Sequence, residues 1–175
     1  MREKTEYMKA MLDLIRTRRS IRRFTGETVG DEMLRTIMDA GTWAPSGLNN
    51  QPWRFVVVKD PEVKRRLSGY TKYSQVIEGA AACIAVFLDV SRSYHREKDL
   101  QAVGACIQNM LLCIHYLGLG GVWLGEILNR REEVERCLDV PEHCELMAVV
   151  ALGHPDETKG RGNRMPLEEV LIKDL

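Results

Sequence analysis

The apolar residues at the start of the chain predict two helices before any strand. An opening helix is expected because several apolar side chains share one helical face, namely Tyr7, Met8, Met11, Leu12 and Ile15. A second helix is expected to begin at Asp31, which is a good N-cap residue, and to end by Gly41 or Pro45.

Four runs of β-forming residues follow. Ala81–Val90 is almost continuously apolar, which is typical of a strand that is buried on both faces. Glu145–Leu152 has the same character, whereas Phe55–Val58 and Val122–Leu124 predict shorter strands. A helix is predicted over Arg131–Leu138, between the last two strands.

Two further helices are expected between the strands. Asp60 and Pro61 supply the N-cap and the first residue of one of them. A polar connector over Ser91–Asp99 leads into the other, a long amphipathic helix over Leu100–Leu117 that Gly118 terminates. Because two helices precede the strands, a regular βαβ winding is not indicated, and an α+β layered fold is expected.

Composition narrows the possible partners. The chain has 175 residues, which predicts a single domain, and its 25 Lys and Arg residues balance 25 Asp and Glu residues. A protein-wide basic field is therefore absent, and no nucleic-acid partner is expected. Its five cysteines form no Cys-x-x-Cys pair, so neither a metal site nor a disulfide framework is expected.

Targeting segments are not recognisable. The N-terminal residues include acids and lack the apolar run of a signal peptide. Met110–Leu128 is mostly apolar, but it contains His115, Glu126 and several glycines, which makes it a poor membrane span. We therefore expect a soluble, reduced, cytoplasmic protein without a membrane partner.

The stretch Arg16–Arg23 is the strongest candidate for binding chemistry. It contains five arginines in eight residues and no acid. Arginine presents planar N–H donors that match phosphate, and Ser20 adds a hydroxyl group. One compact anion held by several arginines explains this density best. The alternatives are a solvated basic stretch at a helix end and a nucleic-acid contact.

Two other segments contain unusual residues. Ala44–Trp53 combines prolines, asparagines and a glutamine, whose amide groups suit the mixed donor and acceptor edge of a heterocycle. The alternative is an ordinary turn-rich loop. Gly118–Gly125 is rich in glycine but follows a helix rather than a strand, so it is not a Rossmann fingerprint. Its glycines permit close approach of a ligand or of an adjacent layer, and the alternative is a helix C-cap with tight packing.

The order of these segments resembles the FMN-dependent nitroreductase family. The resemblance covers essentially the whole chain, and it includes Arg164 and Pro166 in the polar tail. The other matching residues are Arg18, Arg19, Ser20, Ile21, Arg22, Phe24, Ala44, Pro45, Ser46, Asn49, Gln51, Pro52, Trp53, Leu117, Gly118, Leu119, Gly120, Trp123, Leu124 and Gly125.

The resemblance implies an α/β/α sandwich around a mostly antiparallel sheet. It also implies an intertwined homodimer of single-domain chains, 1–175, in which the tail 154–175 wraps the partner subunit. FMN would lie at the interface between the subunits, and NAD(P)H would supply electrons.

The resemblance also implies roles for individual residues. Arg18, Arg19, Ser20 and Arg22 would hold the FMN phosphate and the pyrimidine edge of the ring, and Arg164 would complete the anion site. The other subunit would contribute most of the ring contacts, from Pro45, Ser46, Gly47, Asn49 and Gln51. The remaining residues near the isoalloxazine would be Leu124, Gly125 and Glu126.

The tail departs from the family pattern in one place. Some relatives carry a second cation two residues before the tail arginine, where this chain has Gly162. Either Arg161 substitutes for that cation or the phosphate is held less tightly.

The resemblance implies an enzyme that reduces nitroaromatics, quinones or similar electron-poor acceptors by a ping-pong mechanism. No catalytic side chain is expected, because FMN carries the chemistry. A connector of nine residues leaves little room for a lid, so broad acceptor choice is expected. One alternative is a specialised enzyme of the same fold, such as a reductive dehalogenase or a flavin-consuming enzyme, in which Tyr94, Glu97 and Lys98 would form a substrate clamp. The other alternative is a flavin-binding dimer without useful turnover.

Overall fold

A computed structural model describes residues 2–158, 160 and 162–175, with side chains from Met8 onward. The helices of eight or more residues are α1 (Arg2–Thr17), α2 (Asp31–Thr42), α3 (Pro61–Ser68), α5 (Arg96–Tyr116) and α6 (Arg131–Leu138). Shorter helices are α4 (Ser74–Gly79) and α7 (Leu167–Val170). The strands are β1 (Trp53–Val58), β2 (Ala82–Asp89), β3 (Gly120–Leu124) and β4 (Cys144–Gly153).

The strands form one antiparallel sheet in the order β1-β2-β4-β3. All eight residues of β2 are buried, as the continuous apolar run of the sequence predicts. β2 and β4 are central, and their pairing contains one irregularity, between Val86 and Phe87. β1 and β3 are the edge strands of this four-stranded sheet.

Apolar side chains pack on both faces of the sheet. Ile84, Val86 and Leu88 of β2 pack with α2 and α5 on one face. Cys83 and Phe87, which alternate with them, pack on the other face with residues of α3, α4 and α6. The sheet therefore lies between two helical layers, which confirms the predicted α+β class and the α/β/α sandwich.

Local signals placed most helix ends correctly. Asp60 caps α3, because its carboxylate accepts from the N–H groups of Glu62 and Val63, each at 2.9 Å, and Pro61 follows as the first helical residue. Gly118 takes a left-handed backbone with φ of 76° directly after α5, as predicted for a helix stop.

One N-cap assignment and one helix start differ from the prediction. α2 begins at Asp31, as predicted, but Gly30 rather than Asp31 is its N-cap, and Asp31 forms an ion pair with Lys59 at 2.5 Å. α5 begins at Arg96, so the second half of the predicted connector 91–99 is helical. Its first turn is charged, and the apolar pattern therefore did not reveal it.

The part of the chain that the structure describes contains no helix both long and apolar enough to cross a membrane. Two of its segments nevertheless carry exposed apolar side chains. Met8, Met11 and Leu12 are exposed on α1, and Ile172 is fully exposed in the tail.

Candidate functional site

The stretch Arg16–Arg23 leaves the end of α1 and passes along the edge strand β3. Ser20 forms a parallel bridge with Gly121, and the N–H of Ile21 donates to the Gly121 carbonyl oxygen at 3.1 Å. The Ile21 side chain is buried against the sheet edge, beside Gly120. These contacts hold the arginine stretch in a fixed register against β3.

The predicted anion-binding residues come together in one cavity of about 440 Å³. Arg18, Arg19, Ser20 and Arg22 line it from the arginine stretch, and Arg164 reaches it from the tail. Three of these residues, Arg18, Arg19 and Arg164, also line an adjacent cavity of about 570 Å³. A formally neutral protein thus concentrates four guanidinium groups around one concave surface.

The electrostatics of this cavity favour an anion. Burial, together with the positive charges of Arg164 and Arg19, lowers the pKa of the Arg18 guanidinium. Arginine nevertheless stays protonated at neutral pH, so the cluster is cationic and its members repel one another. A phosphate would relieve this repulsion and accept paired hydrogen bonds from the guanidinium groups.

Arg19 is fixed by the backbone around it. Its Nη1 donates to the carbonyl oxygens of Arg16 and Arg18, both at 2.6 Å, and its Nε donates to a tail carbonyl oxygen at 3.1 Å. A Cβ on Gly162 would lie 2.6 Å from Arg19 Cζ, which gives a steric reason for glycine there. Arg161, the expected substitute cation, lies outside the described residues.

Glu157 lines the same cavity and was missed in the sequence. Its carboxylate accepts from the backbone N–H of Arg22 at 2.5 Å, and it forms an ion pair with Arg23 at 3.6 Å. The residues after β4 thereby hold the far end of the arginine stretch. Only the fold brings these segments together, and no local sequence signal marks Glu157.

The segment 45–52, here called the amide loop, is compact and strained. The Ser46 hydroxyl accepts from the N–H of Gln51 at 3.1 Å, which closes the loop. Leu48, Asn49 and Gln51 have positive φ angles of 54°, 54° and 47°. Non-glycine residues adopt this conformation at a cost of about 1–3 kcal/mol each, and such strain clusters at functional sites. Asn49 and Gln51 are exposed.

The start of the amide loop borders a separate cavity of about 270 Å³. Pro45, Ser46 and Gly47 line one side of it, and Tyr94 and Lys98 line the other. The Lys98 ammonium lies 5.3 Å from the centre of the Tyr94 ring. One subunit thus does not bring the amide loop and the arginine cluster into one cavity.

Leu124 is the last residue of β3, Gly125 and Glu126 follow it, and none of the three lines either of these cavities. Leu124 is buried, whereas Gly125 is exposed and begins a short turn. The Glu126 carboxylate accepts from the Thr71 hydroxyl at 2.7 Å and from the Lys72 N–H at 3.0 Å, and these bonds lower its pKa. The side chain of Glu126 therefore anchors the segment before α4.

Comparisons with known proteins identify the family of this chain. A family model described as Nitroreductase family matches residues 15–72 and 68–154. The chain is 36% identical over 156 residues to an Archaeoglobus fulgidus protein assigned as an NADH dehydrogenase/NAD(P)H nitroreductase, with 87% of this chain and 89% of that protein covered. It is 31% identical over 176 residues to the NADPH-flavin oxidoreductase of Vibrio harveyi, covering 94% of this chain and 73% of that protein.

A solved structure extends the similarity to the fold. It is a Desulfovibrio desulfuricans protein assigned as a nitroreductase and solved in complex with FMN. That protein is 46% identical to this chain, with a TM-score of 0.89 and coverage of 94% of this chain and 96% of that one. This chain therefore belongs to the nitroreductase family.

Proposed function

We propose that this chain is an FMN-dependent NAD(P)H oxidoreductase that reduces nitroaromatics, quinones and similar electron-poor acceptors. The observation that carries the proposal is the cavity of about 440 Å³ that four arginines line in a protein of zero formal charge. The fit to FMN is chemical, because a phosphate matches clustered guanidinium donors better than any neutral ligand does. The relatives' flavin and nicotinamide names support the choice of cofactor and donor.

The residues that would hold FMN fall into three groups. Arg18, Arg19, Ser20, Arg22 and Arg164 would hold the phosphate and the pyrimidine edge. The amide loop would supply hydrogen-bonding groups to the ring, through residues that are already exposed, such as Asn49 and Gln51. Backbone near Gly125 would approach the ring, where the absence of a side chain allows close contact.

FMN, when bound, supplies the redox chemistry by taking a hydride from NAD(P)H and passing electrons to the acceptor. The protein orients the substrates and sets the local charge. Arg22, an exposed residue that lines the cavity, would stabilise negative charge at the pyrimidine edge, because opposite charges attract. NAD(P)H and the acceptor would use the same place in turn, which makes the kinetics ping-pong.

We propose that the functional unit is a homodimer of single-domain chains, 1–175. The exposed apolar residues of α1 and the exposed tail would be covered by a second copy. The tail 154–175 would wrap the partner, and the amide loop would complete the partner's FMN site. The separation of the amide loop from the arginine cluster within one chain supports this arrangement. Five free cysteines fit a reducing compartment such as the cytoplasm.

A specialised acceptor is the second candidate, and one observation favours it. Tyr94 and Lys98 line the cavity beside the amide loop, where they could bind an aromatic acceptor that carries a negative charge. Slow turnover of simple nitroaromatics and fast turnover of one anionic aromatic compound would favour this candidate over broad acceptor choice.

The first test is the visible absorption spectrum of the purified protein, repeated on the supernatant after heat denaturation. We expect a yellow protein that releases FMN and that anaerobic NADH or NADPH bleaches. Double-reciprocal plots at several acceptor concentrations should be parallel, as ping-pong kinetics require. Colourless protein that also fails to bind added FMN would contradict the cofactor assignment. Bound FMN that neither nicotinamide reduces would instead indicate a flavin-binding dimer without turnover.

A further inference from the structure

Asp99 is a carboxylate with 0% of its surface exposed, in the first turn of α5. Its Oδ2 accepts from the Ser93 hydroxyl at 2.6 Å and from the backbone N–H groups of Tyr94 and His95, each at 3.2 Å. Its Oδ1 accepts from Asn50 Nδ2 at 2.7 Å. One buried charge thus joins two segments that are distant in sequence, the amide loop and the residues before α5.

The orientation of the Asn50 side chain is fixed by its neighbours. Nδ2 donates both to Asp99 Oδ1 and to the Arg92 carbonyl oxygen, the latter at 3.0 Å, and Arg92 Nε donates back to the Asn50 carbonyl oxygen at 3.0 Å. If the Asn50 amide were flipped, its oxygen would face Asp99 Oδ1 and the Arg92 carbonyl oxygen, and two acceptors cannot form a hydrogen bond with each other. Position 50 therefore requires a donor.

Asn50 lies among the strained residues of the amide loop. Leu48, Asn49 and Gln51 have left-handed backbone angles, whereas Asn50 has an ordinary φ of −71°. A strained conformation persists only where surrounding contacts hold it. The Asn50 side chain supplies such a contact, because it ties the loop to a buried group of a long helix.

Tyr94 provides a second contact between the same segments. Its backbone N–H donates to Asp99, and its hydroxyl lies against Gly47, where any Cβ would collide with it. Tyr94 also lines the cavity beside the amide loop. The position of Asp99 therefore determines both the loop conformation and one wall of this cavity.

We infer that Asp99 is a positioning residue, which acts through Asn50 to hold the amide loop in the conformation that presents Asn49 and Gln51. The functional part of this inference rests on the proposed function, in which Asn49 and Gln51 contact the flavin ring. The structural part concerns the loop alone and can be measured without flavin.

The structural part is tested by hydrogen exchange on full-length, flavin-free protein. Asp99→Asn and Asn50→Asp should each raise amide exchange in residues 47–51 by about tenfold or more, the ratio that corresponds to loss of one charge-assisted hydrogen bond. Exchange in β2 and β4 should stay unchanged. The inference would be overturned if both variants kept the exchange rates of β2 and β4 and showed exchange rates in the amide loop within twofold of wild type.

The functional part is tested by the dissociation constant of FMN, measured by quenching of flavin fluorescence. Each single variant should weaken FMN binding about tenfold. The double variant Asn50→Asp/Asp99→Asn restores a donor facing an acceptor, so it should bind FMN at least about threefold more tightly than Asn50→Asp alone. A double variant no better than Asn50→Asp would show that the pair is not coupled and would overturn the role.

Asp60→Ala is the control for a general loss of stability. It removes the cap of α3, which is remote from the amide loop, and should lower the melting temperature without changing FMN affinity or loop exchange. If Asp99→Asn does not fold, Asn50→Ala carries the same test, because it removes the donor at position 50 and leaves Asp99 its three bonds to Ser93, Tyr94 and His95. Wild-type protein that fails to bind FMN would contradict the proposed function but not the exchange result.

Discussion

A Cβ on Gly120 would lie 2.7 Å from Cγ2 of Ile21. Ile21 is 2% exposed and is the apolar residue inside the arginine stretch, with Ser20 on one side and Arg22 on the other. Because Gly120 has no side chain, the arginine stretch, which carries the candidate phosphate-binding residues, can pack closely against the start of β3. Gly120 thus provides the tight packing that is one of the roles expected for the glycines of Gly118–Gly125.

Gly120→Ala should displace Ile21 and with it the arginine stretch. We expect the free energy of unfolding to fall by about 1–3 kcal/mol, the usual cost of inserting a methyl group into a packed site. FMN affinity should fall as well, because Ser20 and Arg22 flank the displaced residue. Chemical denaturation and a flavin titration measure the two effects.

Gly104→Ala is the matched control, since a Cβ there would meet only Trp123, at an ordinary distance of 3.9 Å. Within α5, alanine is a better helix former than glycine, so this variant should be neutral or slightly stabilising. Equal behaviour of the two alanine variants would contradict the packing role of Gly120.

Arg22→Ala should lower the flavin content of the purified protein, its reduction potential, or both. The lost interaction is a charge-assisted hydrogen bond of about 1.5–3 kcal/mol, which corresponds to roughly 10- to 100-fold in FMN affinity. The absorbance ratio of flavin to protein and a potentiometric titration with a reference dye measure these quantities.

Arg65→Ala removes an arginine that pairs with Glu62 on the surface of α3, and it should change neither the flavin content nor the reduction potential. An Arg22→Ala variant with unchanged flavin content and unchanged potential would show that Arg22 does not contact the ring.

Signals that depend on neighbouring residues were readable from the sequence. Asp60 and Pro61 fix the start of α3 through the backbone N–H groups next to them, and the continuous apolar run of β2 reflects cover on both faces. The arginine stretch was also recognisable, because its charge density stands out in a neutral chain. In each case the signal itself is contained within a few neighbouring residues.

Signals that depend on distant residues were not readable. The sequence predicts Asp99 in a polar connector, yet it is fully buried, and one of its four hydrogen-bond donors, Asn50, lies 49 residues away. Glu157 is an ordinary tail residue until the fold brings the N–H of Arg22 to its carboxylate. A charged residue is expected to be exposed unless its partners are known, and tertiary structure supplies those partners.

The buried cysteines should resist thiol reagents in the native protein. Burial raises the pKa of the Cys83 thiol and that of the Cys106 thiol to about 12 each, so both are neutral at physiological pH. The thiolate is the reactive form, and a buried thiol is also shielded from the reagent. At pH 8, we expect slow, partial reaction at the half-buried Cys113 and Cys137 alone, and rapid reaction of all five cysteines after unfolding.

The double variant Cys113→Ser/Cys137→Ser should abolish the native reaction. Both side chains are only partly buried, so the hydroxyl groups can meet solvent. Rapid labelling of Cys83 or Cys106 in the folded double variant would show that the sheet and α5 open more readily than their packing indicates.

Asp89 should make the stability of the protein depend on pH in the acid range. Burial alone raises the pKa of this carboxyl. Hydrogen bonds from Ser91 and the positive charge of Arg54 outweigh burial and lower this pKa below its usual value. Arg54 Nη2 lies 2.6 Å from Asp89 Oδ2. A folded pKa below the unfolded value of about 3.9 means that ionised Asp89 stabilises the fold above about pH 4. This contribution is lost as the pH falls through the folded pKa.

Asp89→Asn should therefore lower the free energy of unfolding at pH 7 by about 1–3 kcal/mol, because Arg54 and Ser91 lose a charged partner. The difference from wild type should narrow as the pH falls from 5 to 3, since the Asp89 carboxyl of the unfolded wild-type chain then takes up a proton, which stabilises the unfolded state relative to the folded one. Urea unfolding at pH 7, 5 and 3 measures the difference in the free energy of unfolding.

Asp31→Asn is the control, because Asp31 forms an exposed ion pair with Lys59, and it should change stability far less at pH 7. A difference between Asp89→Asn and wild type that stays constant across the three pH values would show that the hydrogen-bond network acts through shape rather than through the charge of Asp89.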